Sequence, residues 1–175
     1  MRSGSTVAAA AYLDKGVDPS TCDVTGLTAL MLVAGRGCLE MVKLLVERGI
    51  PVDDREARKG LTAHHFACSG GHPAVTAYLL ERGAAAANRG NLGRTAVMFA
   101  AGKGDVASLR LLIGQGADLD CRNAYGNTAV TIAEDMERPE VRAMLLAAGG
   151  EPADGIIGAA LIRSKCLRIL PATVV

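Results

Sequence analysis

The sequence predicts an all-α solenoid of stacked helix-turn-helix units joined by hairpin-like turns. Three observations lead there. Gly26, Gly60, Gly93 and Gly126 recur at spacings of 34, 33 and 33 residues. Each is followed two positions on by a threonine (Thr28, Thr62, Thr95, Thr128) and three on by an alanine (Ala29, Ala63, Ala96, Ala129). A second glycine stands 23 positions after each first one, at Gly49, Gly83, Gly116 and Gly149. A fixed period near 33 residues with matched punctuation marks a repeat array, in which each unit buries its apolar face against its neighbours.

Composition fits thin, closely stacked helix pairs. Half of the 175 residues are hydrophobic, yet there is no tryptophan and there are only two phenylalanines and three tyrosines. A core of alanine and leucine lets helices approach closely. The 19 basic and 18 acidic side chains leave a formal charge of +1, which favours no partner class on global grounds. The five cysteines (Cys22, Cys38, Cys68, Cys121, Cys166) are odd in number and form no CxxC pair. They read as reduced thiols of a cytoplasmic or nuclear protein, with an exported protein as the alternative. The VAAAAYL run near the start is cut short by Asp14 and preceded by a single cation, Arg2, so it does not read as a signal peptide. No apolar stretch reaches the roughly 18 residues that a membrane span needs.

The unit from Gly26 to Lys59 illustrates the physical logic. Gly26 suits a turn at positive φ, and the Thr28 hydroxyl can accept from a free N–H of the first helical turn. Ala29 to Ala34 then forms a short apolar helix, broken by Gly35-Arg36-Gly37. A second helix over Leu39 to Arg48 buries Met41, Val42, Leu44, Leu45 and Val46. Glu40 near its start and Arg48 at its end suit the helix dipole, and Gly49 closes it. Residues 50–59 make an extended return to the next unit.

This unit, GLTALMLVAGRGCLEMVKLLVERGIPVD, resembles the ankyrin repeat, whose signature is a glycine, then T-P-L-H-x-A, then G-H before the second helix. The second copy carries the signature histidines, His65 in GLTAHHFA and His72 in SGGHPAV. The third reads GRTAVMFAAGKGDVASLRLLIGQGADLD and the fourth GNTAVTIAEDMERPEVRAMLLAAGG. In this register residues 1–25 are a half repeat, with a second helix over Val7 to Lys15. Residues 26–59, 60–92, 93–125 and 126–150 are repeats one to four, the last cap-like, and 151–175 are a linker and an amphipathic tail. Alanine replaces the signature proline after every capping threonine, and His64 stands where the family has a buried leucine. Glu137 replaces the inter-helix glycine of the last copy, and Glu134 a small core residue, as suits a solvent-facing cap. The half repeat lacks its first helix, leaving two expectations: a longer array of which this is a piece, or a docked partner. The tail segment IIGAALIRSKCLRIL, with Arg163, Lys165 and Arg168, reads as a helix against repeat four, or as a partner- or membrane-surface helix.

The candidate chemical constellations dissolve under the repeat register. His64, Cys68 and His72 are spaced four apart, but Ser69-Gly70-Gly71 is expected to interrupt the helix between them. The resemblance assigns His65 and His72 to backbone hydrogen bonding and Cys68 to the small-residue core. Gly102-Lys103-Gly104 lacks the rest of a phosphate loop, and Asp53, Asp54, Asp118 and Asp120 fall in turns that favour aspartate. No catalytic motif is present, so neither catalysis nor a cofactor nor a metal is expected.

What the resemblance implies is a protein-interaction module, a scaffold or adaptor, or a regulatory or targeting part of a larger protein such as an inhibitor or enzyme subunit. Its binding residues would lie at the turn tips and first helices: Arg36, Arg58, Lys59, Leu61, Asn91, Arg94, Lys103, Tyr125, Asn127 and Met136. An extra residue near Arg55-Glu56-Ala57-Arg58 is expected to make that tip protrude. The basic stripe over the middle repeats, with Tyr125 as an aromatic anchor, would select an acidic peptide or protein face. Scarce aromatics argue against nucleic acid as the partner.

Overall fold

A computed structural model describes residues 26–153. The half repeat expected over 1–25, its helix from Val7 to Lys15 and the tail helix expected beyond the linker lie outside the described residues. Within them, eight helices form four antiparallel pairs. These are α1 (Ala29–Gly35) with α2 (Leu39–Glu47), α3 (Ala63–Gly70) with α4 (Pro73–Glu81), α5 (Ala96–Lys103) with α6 (Val106–Gly114), and α7 (Ala129–Asp135) with α8 (Pro139–Ala147). The first helices stack α1 on α3 on α5 on α7, and α2, α4 and α6 stack in sequence beside them. The returns make hairpin-like turns, one of which bridges Arg89 and Thr95 in antiparallel fashion.

Capping explains where the helices begin. The hydroxyls of Thr28, Thr95 and Thr128 accept from the amides of Met31 (3.4 Å), Met98 (3.3 Å) and Thr131 (3.3 Å). Thr62 is arranged differently: its own N–H donates to Nδ1 of His65 at 3.2 Å, and His65 Nε2 reaches the Asn88 carbonyl at 3.0 Å. One imidazole thereby joins the start of α3 to the following return. Since Nδ1 accepts, the ring is neutral with its hydrogen on Nε2. Three of the four second helices carry a start signal: α4 and α8 begin on Pro73 and Pro139, whose missing N–H is harmless in a first turn, and α6 follows Asp105, whose carboxylate accepts from Ser108 N at 3.0 Å.

Side chains at equivalent positions run through the core in rows. Leu45, Leu79, Leu112 and Leu145 are buried at one position of the four outer helices. Leu30, His64, Val97 and Val130 occupy one position of the inner helices, all inaccessible to solvent. A buried polar thread also crosses the stack. The Ser108 hydroxyl donates to Asp105 Oδ2 and lies 3.4 Å from Thr76 Oγ1, itself 3.6 Å from Cys68 Sγ. These bonds satisfy groups that burial would otherwise penalise.

The inter-helix turns each need one left-handed residue. Gly37 (φ 71°), Gly71 (φ 75°) and Gly104 (φ 82°) supply it in the first three repeats, and Glu137 adopts φ 54° in the fourth. A side chain in that region costs about 1–2 kcal/mol, offset in part by the roughly 0.5–1 kcal/mol that a glycine loses in chain entropy. Glu137→Gly is therefore expected to stabilise the fold by about 0.5–1 kcal/mol, read as a higher urea midpoint at constant slope. A lower midpoint would show that the Glu137 side chain contributes more than its backbone strain costs.

Candidate protein-interaction surface

The turn tips are tied to one another by bonds that repeat with the period of the chain. The Arg55 guanidinium donates to the Arg89 carbonyl (2.7 Å) and to Asn88 Oδ1 (3.0 Å), and Arg89 donates in turn to the Arg122 carbonyl (3.1 Å). Asn91 donates through its amide to the Lys59 carbonyl (2.7 Å) and through its side chain to the Arg58 carbonyl (3.1 Å). Ala124 N–H reaches the Leu92 carbonyl at 2.9 Å. Each tip therefore fixes the next, and the row is presented as one stiff edge.

The extra residue in the second return does not make a free protrusion. Glu56 turns inward and is almost fully buried, and its carboxylate accepts from the amides of Arg58 (2.7 Å) and Lys59 (2.8 Å). Its own N–H donates to the Leu61 carbonyl at 2.8 Å, closing a compact turn over residues 57–59. The extra length is absorbed because a buried carboxylate needs donors and the turn amides are the nearest ones.

The ten residues expected at the binding surface fall into two separate groups and two corrections. Arg58, Lys59, Asn91 and Tyr125 are exposed along the tips, with Arg94 half-buried beside them. Arg36, Lys103 and Met136 stand at the opposite ends of the inner helices, about 12 Å away along an eight-residue helix. Leu61 and Asn127 are not surface residues: they are 6% and 2% exposed. At these two positions the chain has already turned under the following tip, so the residue after Gly60 and after Gly126 faces inward, whereas Arg94 after Gly93 and Leu27 after Gly26 stay half-buried. Among the described residues, ion pairs join Lys43 to Glu40 and Arg142 to Glu134, and none involves Arg58, Lys59 or Arg94. The Arg94 guanidinium instead lies over the Phe99 ring at 5.9 Å.

Sequence reading missed an apolar row on the inner helices. Leu32, Phe66, Phe99 and Ile132 sit at one repeat position and stay partly accessible. Their recurrence at 34, 33 and 33 residues was the available signal.

The histidine and cysteine constellation is pulled apart. Helix α3 runs on through Ser69 and Gly70 and ends at the left-handed Gly71, so the expected interruption falls before His72. His72 Nε2 bonds the Gly35 carbonyl of the preceding repeat at 3.0 Å, whereas Cys68 faces Thr76. Burial pushes the Cys68 thiol up to about 12, far from the thiolate that a nucleophile or metal ligand requires. At the fourth tip Cys121 donates to Asp118 at 3.1 Å, and burial together with that carboxylate raises its thiol to about 11. Among the described residues no three metal-ligating side chains cluster, and no helix is long and apolar enough to cross a membrane.

Stacked helix pairs with capped inner helices, left-handed inter-helix turns and linked tips define a repeat protein of the ankyrin class. Family models of ankyrin repeats match residues 2–89 and 79–133. The chain belongs to the ankyrin repeat family, whose repeats mediate protein–protein interaction. It is 41% identical over 68 residues to human protein phosphatase 1 regulatory subunit 27, a match covering 39% of this chain and 44% of that protein. The mouse counterpart is 40% identical over 79 residues, covering 43% and 51%. Mouse ankyrin repeat and SAM domain-containing protein 6 is 40% identical over 70 residues, 40% of this chain but 8% of that protein. The matches thus span about half the length of the two phosphatase subunits.

Proposed function

We propose that the protein is a non-catalytic adaptor that captures a protein partner along the tips that join repeats one to four, with Arg58, Lys59 and Arg94 selecting an acidic face. One observation carries this reading: three cations with no ion pair among the described residues stand on an edge whose backbone is already fixed by inter-repeat bonds. Little ordering is then required on binding, and charge sets the rate of encounter. Tyr125, 38% exposed at the neighbouring tip, supplies an aromatic contact at the end of that edge. The free thiols Cys38, Cys68 and Cys121 favour a reducing compartment, the cytoplasm or nucleus.

The double reversal Arg58→Glu/Arg94→Glu tests it. The association rate with a captured partner is expected to fall at least about tenfold at low salt, with the thermal midpoint nearly unchanged. Retention of every partner by the variant would refute the basic-face reading. A second reading, a regulatory subunit of an enzyme, is favoured by the identity to a phosphatase regulatory subunit. Co-purification with a protein phosphatase 1 catalytic subunit, lost in the same variant, would support it.

A further inference from the structure

Between the second and third tips lies a hollow of about 60 Å³, lined by Lys59, Leu61, Gly90, Leu92 and Arg94. Leu61, buried and therefore lost as a surface contact, forms part of its wall, and Leu92, 39% exposed, is an open apolar neighbour. The hollow depends on a missing side chain. A Cβ on Gly90 would stand 2.7 Å from Leu61 Cδ2 and 2.9 Å from the Lys59 carbonyl. The register equivalents of Gly90 are Ala57 and Asn123, so this gap belongs to one junction of the array. Two cations stand at the lining, Lys59 and Arg94. The carboxylate nearest Lys59 along the chain, Glu56, is turned inward onto the Arg58 and Lys59 amides, and that of Asp53 accepts from Ala85 N and the Asn88 side chain.

From this arrangement we infer that the hollow is a specificity pocket for a short branched aliphatic side chain, leucine- or valine-like, flanked by carboxylates on the partner. The inference rests on the adaptor reading above and names what the basic edge recognises. Size favours a small side chain: the space equals about two water volumes, well below the roughly 150 Å³ of a cavity that accommodates benzene. Charge selects its surroundings, because Lys59 and Arg94 lack carboxylate partners among the described residues. The chain's own tail segment, with Arg163, Lys165 and Arg168, carries the same sign as that rim and is disfavoured as the occupant.

The test uses the whole ¹⁵N-labelled chain and two nine-residue probe peptides, each with four aspartates around a central leucine or a central glycine. The leucine peptide is expected to bind at least about tenfold more tightly, since its side chain leaves water only in the hollow. The largest amide shifts are expected at Gly90, Leu92 and Arg94. Leu92→Glu, at an exposed position and checked by its thermal melt, is expected to abolish the difference between the peptides. Equal binding of the two peptides, still weakened by the Arg58/Arg94 reversal, would overturn the pocket and leave the basic edge standing. Binding of neither peptide at millimolar concentration, or leucine-dependent shifts away from this junction, would also overturn it.

Discussion

Lowering the pH from 7 to 5 is expected to remove up to about 4 kcal/mol of folding stability, through two adjacent buried histidines. Burial pushes His64 down to about 4, helped by the neighbouring His65. Burial also takes His65 to about 4, with Arg55 lowering it further and the bond to the Asn88 carbonyl and the charge of Asp53 opposing. An exposed imidazole titrates near 6.5, so between 6.5 and 4 the unfolded chain binds more protons than the folded one. Stability is then complete above about 6.5 and declines as the pH falls. Each ring contributes a loss of about 2 kcal/mol by pH 5 if it titrates independently. For His65 the structural cause is visible: a proton on Nδ1 would face the Thr62 N–H that now donates to it at 3.2 Å, setting donor against donor at the start of α3. Asp118, held below its ordinary value by the bond from Cys121, keeps its stabilising share above about 3.8 and loses it only as the pH falls further, which leaves this window to the histidines. Urea titrations at pH 7, 6 and 5 measure the effect, and a flat profile would contradict it. Against a domain stability of about 5–15 kcal/mol, the loss is large enough to unfold a marginal variant.

That the two rings stand side by side yet do different work marks how far the sequence could be read. Period, punctuation and capping threonines sufficed for the fold, because each repeat states the same local preferences and the stack needs them to agree. His65 and His72 were legible for the same reason, and both bond backbone carbonyls, at Asn88 and at Gly35 of the previous repeat. The surface was harder to read. Leu61 and Asn127 follow an opening glycine, where local chemistry says turn, and only the stacking of the next tip buries them. Glu56 looked like part of a protruding charged tip and instead faces inward, because burial of a carboxylate is decided by the donors around it. The hollow beside Gly90 had no local signal at all: a glycine reads as a turn, and its value as a gap exists only against Leu61 and Lys59 of the preceding return. Tertiary neighbours about 30 residues away carry that information, and no window of local pattern contains them.

His64→Leu is the substitution expected to stabilise the protein most, by about 1–3 kcal/mol at neutral pH. His64 is 0% exposed and neither ring nitrogen has a hydrogen-bond partner. It occupies the row held by Leu30, Val97 and Val130 in the other repeats, so an aliphatic side chain of similar size suits the environment on both sides. An unbonded polar group in such a place costs roughly 1–3 kcal/mol of lost hydration, which leucine does not incur. The same substitution removes one of the two rings that bind protons on unfolding. The gain should therefore grow as the pH falls, and the loss between pH 7 and 5 should shrink to the His65 share of about 2 kcal/mol. Measuring the variant at both pH values separates the two effects: a pH-independent gain reports the unbonded nitrogens, and the additional gain at pH 5 reports the proton. Destabilisation at pH 7 would refute the assignment and place a bonding partner, such as an internal water, against the His64 ring.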